Sequence, residues 1–198
     1  MTRRAAAFAS IIVVFAVFAL PQASQAQDAR AFVANLGQQA IQVMGPSVPT
    51  AQRLARFRQI FQSDFDVPGI GQFVLGRYWR VATPPEQQEF LNLFQEYIVR
   101  AYSARLSEYA GEPFRVTGVR PSPEGTVVTS EIVRGNAAPV QVDWYLATIG
   151  GQFKITDVYV GGVSMKVTQR DEFASVIQRN GGRVDALLAQ LRQKLSAG

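Results

Sequence analysis

The sequence predicts an α+β fold in which helices pack on one twisted antiparallel sheet of four strands. Apolar residues repeat with the 3.6-residue period of a helix as far as residue 111, with the two-residue period of a strand from 114 to 160, and with the helical period again after 168. At 198 residues, with 47% hydrophobic and 18% charged residues, the chain suits one domain with its own core. We therefore expect helical segments on both sides of a single sheet.

The first 26 residues have the pattern of a secretory signal peptide. Two arginines precede an apolar run over residues 5–20, and Ser24-Gln25-Ala26 places small residues at alternate positions before the predicted cleavage site. The segment 1–26 is therefore predicted to be removed, which leaves the domain 27–198. The alternative is a membrane anchor, because the apolar run is only slightly shorter than the roughly 20 residues that span a bilayer.

Two helices are predicted directly after this leader. Asp28 is expected to cap the first helix, which ends at the Gly45-Pro46 break. Thr50 is expected to open the second helix. Each helix carries a single apolar stripe, as expected for a helix that packs on a core.

Two further helices are predicted from stronger capping signals. Asp66 precedes a Val-Pro pair and is expected to cap a short helix that extends through Val74. Thr83 and Glu86 form a capping box for a long helix that reaches Gly111. The apolar positions of the long helix keep one face over several turns.

The sheet is predicted from four segments rich in valine, isoleucine, threonine and aromatic residues, separated by glycine- and proline-containing turns. Their bounds are 114–119, 126–133, 139–149 and 152–160. The consecutive turns predict an antiparallel meander. A helix over 168–180, capped by Gly181, and a terminal helix through Leu191 are expected to follow.

The fourth strand has apolar residues on both of its predicted faces. Strict alternation places Phe153, Ile155 and Tyr159 on one face and Val158 and Val160 on the other. An antiparallel strand with one solvated face would carry polar residues there. Both faces of this strand are therefore expected to be covered.

Composition excludes several classes of function. The chain has 20 basic and 15 acidic residues, and loss of the two leader arginines leaves 18 against 15, a net charge of +3. Mild basicity favours encounters with anionic surfaces such as lipid headgroups, but the sequence has no basic run that would indicate a nucleic-acid partner. Cysteine and histidine are absent, which excludes disulfides, Ser-His and Cys-His nucleophiles and common zinc sites.

Three aspartates are the remaining candidates for acid-base or metal chemistry. Asp64 and Asp66 flank one residue, and their position is explained if they end one helix and cap the next. Asp157 lies among apolar residues, where a salt bridge to an arginine is the expected role. No catalytic residue and no metal site are predicted.

Two glycine motifs do not support a nucleotide or serine-hydrolase site. Gly69-Ile70-Gly71 and Gly76 match a dinucleotide fingerprint only loosely, and close helix packing explains the glycines better. Ser164 lacks the following glycine that a nucleophile elbow requires. The sequence therefore predicts no cofactor and no enzyme.

Four segments together resemble the MlaC family of periplasmic lipid-binding proteins, also described as toluene-tolerance auxiliary components of an ABC transport system. They are residues 65–112, which include GRYWR, then FKITDVYVGGVSM, RDEFASVIQRNGG and VDALLAQLR. The hopanoid-associated HpnM branch of this group is similar in outline. The resemblance covers most of the domain 27–198.

The resemblance implies a periplasmic shuttle that carries phospholipid. Its implied partners are a diacyl phospholipid, an inner-membrane ABC transporter with an MCE-domain protein, and an outer-membrane lipoprotein complex. A diacyl lipid with roughly 30 methylenes would expose about 25 kcal/mol of apolar surface to water, so such a carrier needs an enclosed apolar slot. The lipid would be phospholipid or, in the HpnM branch, a hopanoid.

The implied slot lies between the sheet and the helices, with the Gly161-Gly162 pair bending the chain at its rim. The alternative for each lining residue is an ordinary core position. The residues expected to line it are Phe73, Val74, Tyr78, Phe94, Ile98, Tyr102, Val128, Trp144, Tyr145, Val158, Val160 and Val163.

Two arginines of GRYWR have two candidate roles. Arg77 and Arg80 are suited to a headgroup phosphate, but pairing with Asp64, Asp66 or Asp157 is the favoured expectation. Two other functions stay open from the sequence: a small-molecule-binding or enzymatic domain of the NTF2-like type, and an adaptor with a fully packed sheet. A long apolar cavity would indicate the lipid carrier, a polar pocket would indicate the NTF2-like domain, and a sheet without a cavity would indicate the adaptor.

Overall fold

The computed structural model describes residues 21–43, 45, 47–135 and 137–197. Six helices and five strands follow one another within these residues. The helices are α1 (Pro21–Val43), α2 (Thr50–Asp64), α3 (Val67–Leu75), α4 (Pro84–Ser107), α5 (Met165–Arg179) and α6 (Val184–Ser196), and a 3₁₀ turn spans Gly76–Arg80. The strands are β1 (Phe114–Ser122), β2 (Gly125–Ile132), β3 (Val140–Ile149), β4 (Gln152–Val160) and β5 (Val163–Ser164).

Helix α1 begins earlier than the sequence predicted. Its described part already includes Pro21 and runs across the predicted cleavage site, so Asp28 lies inside the helix and does not cap it. The stretch from residue 22 to residue 27 is rich in alanine and glutamine, which extend a helix readily. The apolar run of the predicted leader lies outside the described residues.

The capping predictions for the next helices are confirmed. Asp66 Oδ1 accepts a hydrogen bond of 3.1 Å from the Gly69 amide at the start of α3. Thr83 and Glu86 form both halves of the capping box of α4. The hydrogen bonds from the Thr83 backbone and side chain to the Glu86 carboxylate lower its pKa. Helix α4 ends at Ser107, slightly before the predicted Gly111.

The antiparallel meander is confirmed, but its strand count is not. The order is β1-β2-β3-β4-β5, and the fifth strand is the two-residue segment Val163–Ser164, which pairs with the end of β4. The sequence reading missed this strand because two residues carry no periodic pattern. Gly161 and Gly162, at φ 58° and 82°, form the tight turn between β4 and β5.

A β-bulge in β4 overturns the prediction that this strand has two covered faces. Tyr145 pairs with Asp157 and the next residue, Leu146, pairs with Ile155, so Thr156 is an extra residue in β4. After the extra residue, each following side chain of β4 points to the sheet face opposite the one that strict alternation predicts. Its consequence is that Val158 joins Ile155 on the face that packs on the helices.

The core consists of two clusters on that helical side. One includes residues of every helix from α2 to α6, and at its centre the stacked rings of Phe90 and Phe94 meet the edge of Phe173. The other joins α1 and α2 to the inner face of the sheet, with Val33, Ile60, Val128, Leu146 and Ile155 buried between them. The segment between α2 and α3 is hydrogen-bonded to the edge of the sheet, where the Asp66 amide donates to the Ile155 carbonyl over 2.9 Å.

Candidate lipid-binding cavity

A cavity of about 200 Å³ lies between the inner face of the sheet and the helices. Strands β2, β3 and β4 form one wall, and five of the helices form the other. The residues that line this main cavity are Leu36, Ala40, Phe57, Ile60, Phe61, Phe65, Ile70, Val74, Phe94, Ile98, Tyr102, Leu106, Tyr109, Ile132, Val140, Val142, Trp144, Asp157, Val158, Val160, Met165, Lys166 and Gln169.

A smaller side cavity of about 70 Å³ adjoins the main cavity beneath the C-terminal half of α1. The two share Leu36, Ala40 and Trp144, among other residues. Trp144 is fixed by a hydrogen bond of 2.8 Å from its indole nitrogen to the Ser130 hydroxyl. The two volumes therefore belong to one apolar region divided by side chains.

Seven of the twelve residues expected to line a slot lie on the wall of the main cavity. Two helices and two strands contribute them. They are Val74, Phe94, Ile98, Tyr102, Trp144, Val158 and Val160. Contact of these side chains with a lipid stays a prediction.

The other five expected residues lie elsewhere. Tyr145 is on the outer face of the sheet, where its ring lies 4.6 Å from that of Tyr159. Val163 is 55% exposed next to the β4–β5 turn. Val128 is buried in the cluster with α1, and Tyr78 is buried in the helical cluster. Phe73 is partly buried and packs against that helical cluster.

These five positions have different physical explanations. A period of two or 3.6 residues assigns a side chain to a face, but not to a position along that face. Tyr145 and Trp144 are neighbours in sequence, so their side chains lie on opposite faces of β3. Only one of them, Trp144, can therefore line the cavity. Val163 follows the turn and points to water.

Sequence reasoning missed most of the cavity wall. Leu36 and Ala40 come from α1, and Phe57, Ile60 and Phe61 come from α2. The apolar stripes of both helices were visible in the sequence but were assigned only to a core. The 3.6-residue period of these stripes shows that one face of each helix is buried. It does not show whether that face packs on a core or borders a cavity, because both produce the same period.

Asp157 is a buried carboxylate in the cavity wall, and its expected arginine partner is wrong. Its Oδ1 accepts from the backbone amides of Val158 (2.8 Å) and Lys166 (3.1 Å), and its Oδ2 accepts from the Ser164 hydroxyl (2.6 Å). Ser164 also caps α5 by accepting from the Val167 amide over 3.1 Å. This carboxylate therefore ties β4 to the start of α5, which begins at Met165 and not at Thr168.

The few other polar groups of the wall also have partners. The Tyr102 hydroxyl donates to Met165 Sδ at 3.8 Å and links α4 to α5. Burial is the main cause of the raised pKa of Tyr102, so its hydroxyl stays neutral near pH 7. The Gln169 amide donates to Glu172 over 3.2 Å. Among the described residues, no buried side-chain polar atom is left without a hydrogen bond.

The arginines of the 3₁₀ turn do not form the expected ion pairs with aspartates, and contact of either with a headgroup phosphate stays a prediction. Arg77 donates to the Tyr78 hydroxyl over 2.8 Å and lies 4.9 Å above that ring. Arg80 is exposed, and neither arginine lines the main cavity or pairs with an aspartate in the described part of the chain. Asp64 accepts only a hydrogen bond from Ser63, over 2.8 Å.

The glycines near this turn serve packing, as expected, but in two different ways. A Cβ on Gly71 would lie 2.4 Å from a Leu91 methyl, so α3 and α4 approach closely there. A Cβ on Gly69 would lie 2.0 Å from the Asp66 carboxylate that caps α3. The described residues contain no cluster of three or more acidic side chains that could hold a metal ion.

None of the helices in the described residues combines the length and the apolar character that crossing a bilayer requires.

The sequence is similar to two characterised bacterial proteins. It is 30% identical over 122 residues to the toluene tolerance protein ttg2D of Pseudomonas putida, an alignment that covers 61% of this chain and 57% of that protein. It is 22% identical over 131 residues to the intermembrane phospholipid transport system binding protein MlaC of Haemophilus influenzae, covering 64% of this chain and 60% of that protein. The matched region spans less than two thirds of either relative.

A solved structure shares the fold. It is the phospholipid-binding protein from Ralstonia solanacearum in complex with a phospholipid, which superposes with a TM-score of 0.70 at 24% sequence identity and covers 85% of this chain and 97% of that one. A family model described as MlaC protein matches residues 35–193 of the 198. Because that match includes every strand and all of α2 to α5, the protein belongs to the MlaC family.

Proposed function

We propose that the main cavity holds the acyl chains of a phospholipid and that the protein carries this lipid through the periplasm. The observation that carries the proposal is the apolar cavity itself. Its wall is built from aliphatic and aromatic side chains of five helices and three strands. A site of this kind binds an apolar ligand through burial of surface and dispersion contacts.

The polar groups of the wall favour carriage over catalysis. Asp157 already accepts three hydrogen bonds, so it has little capacity left to act as a general base. Burial raises the pKa of Tyr102 further above neutral pH, so its hydroxyl does not supply a phenolate base near pH 7. We infer a lipid carrier without catalytic residues, and we expect purified protein to release lipid unchanged in structure.

The size of the cavity bears on how the lipid enters. Drug-sized ligands occupy sites of roughly 300–1,000 Å³. The main cavity of about 200 Å³ is therefore too small for two complete acyl chains. In our proposal the side cavity joins it and the wall widens as lipid enters, while the hydrogen bonds from β4 to the start of α5 and to the segment between α2 and α3 stay in place.

The names of the relatives support the proposed ligand and setting. The Haemophilus influenzae protein is a phospholipid transport binding protein, and the Ralstonia solanacearum structure contains a phospholipid. In our proposal the carrier exchanges lipid with an inner-membrane ABC transporter bearing an MCE-domain protein and with an outer-membrane lipoprotein complex. The segment 1–26 would direct its export.

The export step can be tested by intact-mass analysis of the protein recovered from the periplasm of a producing bacterium. We expect a mature species that begins near Gln27. A membrane-bound species that keeps residues 1–26 would support an anchor and contradict the proposed leader.

Lipid carriage can be tested by organic extraction of the purified protein. We expect about one phospholipid per chain, because one cavity accommodates one lipid. Val160→Glu should abolish this lipid while circular dichroism stays unchanged, since an unpaired carboxylate among acyl chains is unfavourable by several kcal/mol.

Val163→Glu is the matched control for this experiment. The same substitution three residues away falls on an exposed side chain outside the cavity wall, so this variant should keep its lipid. If wild-type extracts contain no lipid and Val160→Glu unfolds the protein, the cavity is ordinary core and the carrier proposal is wrong.

A further inference from the structure

Lys166 is the only cationic residue that lines the main cavity within the described chain. It is half-buried in the first turn of α5, where its long side chain can reach water while its methylenes cover the wall. Its backbone amide is already used by Asp157, so the side chain is not required for that contact. The ammonium therefore marks a rim of the cavity that meets solvent.

A second cation lies beside it. Lys166 Nζ is 4.7 Å and Arg170 Cζ is 5.1 Å from the centroid of the same Phe73 ring. The two cations are four residues apart on α5, so they occupy one face of the helix. Phe73 was an expected lining residue that does not line the cavity, and this contact gives it a different place, beneath the two cations.

The charge of this pair is only partly balanced. Arg170 forms an ion pair with Asp171 at 3.2 Å, but the two side chains are 40% and 67% exposed, which makes the pair weak. Lys166 has no carboxylate within ion-pair distance among the described residues. Like charges at this spacing repel, and an anion between them would remove the repulsion.

Arg170 is also held in position by packing. A Cβ on Gly76 would lie 3.7 Å from Arg170 Cδ, so the arginine stem lies against the end of α3. Stacking on Phe73 limits the freedom of the guanidinium further. A placed guanidinium and a nearby ammonium are the usual donors to a phosphate group.

From this arrangement we propose that Lys166 and Arg170, supported by Phe73, bind the phosphodiester of the lipid headgroup at the cavity rim. The proposal rests on the proposed function, because the phosphate is joined to the acyl chains through glycerol. It follows that the protein selects lipids that carry a phosphodiester over neutral lipids of equal apolar surface. A diacylglycerol or an uncharged hopanoid would occupy the cavity without satisfying the cations.

The test is a competition between two lipids with identical acyl chains. Wild-type protein is incubated with mixed vesicles of phosphatidylglycerol and diacylglycerol and repurified, and the bound lipids are extracted and quantified. We expect the bound ratio, corrected for vesicle composition, to favour phosphatidylglycerol on the order of tenfold, as a charge-assisted contact would. In the double variant Lys166→Gln, Arg170→Gln, the preference should fall below about threefold.

Arg56→Gln with Arg80→Gln is the matched control, because it removes the same charge from exposed positions outside the cavity wall. This control should keep the preference. If the Lys166 and Arg170 variant keeps it, or if the control loses it equally, the headgroup site is wrong. If wild-type protein binds neither lipid, the proposed function fails, and this inference fails with it.

A second experiment distinguishes a site for free phosphate from a site for a lipid headgroup. It measures the binding of glycerol 3-phosphate to the protein by isothermal titration calorimetry. We expect no detectable binding without acyl chains, because the apolar contacts supply most of the affinity. If glycerol 3-phosphate binds as tightly as phosphatidylglycerol, the cations form a site for a free phosphate and the lipid-headgroup assignment is overturned.

Discussion

Helix α4 packs on one side against other helices and on another side borders the cavity, and the two regions are filled differently. Between the helices, the Phe90 ring stacks on Phe94 at 5.7 Å and meets the edge of Phe173 at 6.0 Å, and all three are buried. Towards the sheet, the same helix borders a cavity of about 200 Å³. Both regions are apolar, so hydrophobicity alone does not decide which of them is filled.

The difference follows from the side chains that each partner supplies. Helix α5 presents Phe173, which reaches across to α4, whereas the strands present mainly short β-branched residues beside Trp144. Those residues are Val140, Val142, Val158 and Val160. An apolar void of this size is unfavourable by about 5 kcal/mol on the scale of cavity-forming mutants. A ligand that fills it would recover much of that free energy, which supports carriage of an apolar molecule.

The largest effect is expected in the filled region. Phe90→Ala removes a fully buried ring that is in contact with two other phenylalanines. We expect the free energy of unfolding to fall by about 3–5 kcal/mol, measured by urea denaturation. A loss below about 1 kcal/mol would show that the helical region is no better packed than the cavity wall.

Insertion of a phenyl ring should change the free energy of unfolding less than Phe90→Ala does, and by different amounts in the two regions. Ile177→Phe adds volume to the filled helical cluster and should destabilise the protein by about 1–3 kcal/mol. Val158→Phe places the ring in the cavity, where space is available, and should change stability by less than about 1 kcal/mol.

Lipid content provides the second measurement on this pair of variants. Val158→Phe should lower the amount of extracted phospholipid, while the folded fraction of Ile177→Phe should keep its lipid. Equal destabilisation by both substitutions would contradict the comparison between a filled and an unfilled region.

The smallest effect concerns an ion pair that joins two helices of the cavity wall. Arg58 on α2 makes a bidentate contact with Glu96 on α4, at 2.7 and 2.6 Å. The hydrogen bonds from Arg58 lower the pKa of the Glu96 carboxyl below its usual value. The stabilisation is therefore present above the pKa of the unfolded carboxyl and is lost as the pH falls through the lower folded-state pKa.

Glu96→Gln should accordingly reduce the free energy of unfolding by about 0.5–1 kcal/mol at pH 7, because both groups are about one-third exposed. The difference from wild type should vanish in acid, below the folded-state pKa of Glu96. Urea denaturation at several pH values checks this. A difference that persists at the acid end would show that packing, and not the ion pair, is responsible.

Features fixed by a few neighbouring residues were predictable from the sequence. The cap at Asp66 and the capping box at Thr83 and Glu86 depend on three or four successive residues, and the structure contains both. The meander followed from turns that are equally local. Trp144 of β3 was expected to line the slot, and it does lie on the cavity wall.

Features that depend on pairing between distant residues were not predictable in the same way. The bulge at Thr156 arises from the register between β3 and β4, and alternation alone therefore assigned Val158 and Val160 to a second covered face. Tyr145 was misplaced although alternation puts it on the face opposite Trp144, and Val163 was misplaced because no periodic pattern shows that it lies beyond the β4–β5 turn. Lys166 was missed because a single lysine near the start of a helix shows no pattern in the sequence. Its contact with the Phe73 ring appears only in the folded protein.

The central claim is that acyl chains occupy the space between the sheet and the helices. The most direct measurement is photo-crosslinking with a phospholipid that carries a diazirine in its acyl chain, followed by mapping of the labelled residues by mass spectrometry. The account predicts labels on inner-face residues such as Trp144, Val158 and Val160, and none on Tyr145 and Tyr159 of the outer face. Labels on the outer face, or an inner face without labels in a protein that retains lipid, would contradict it.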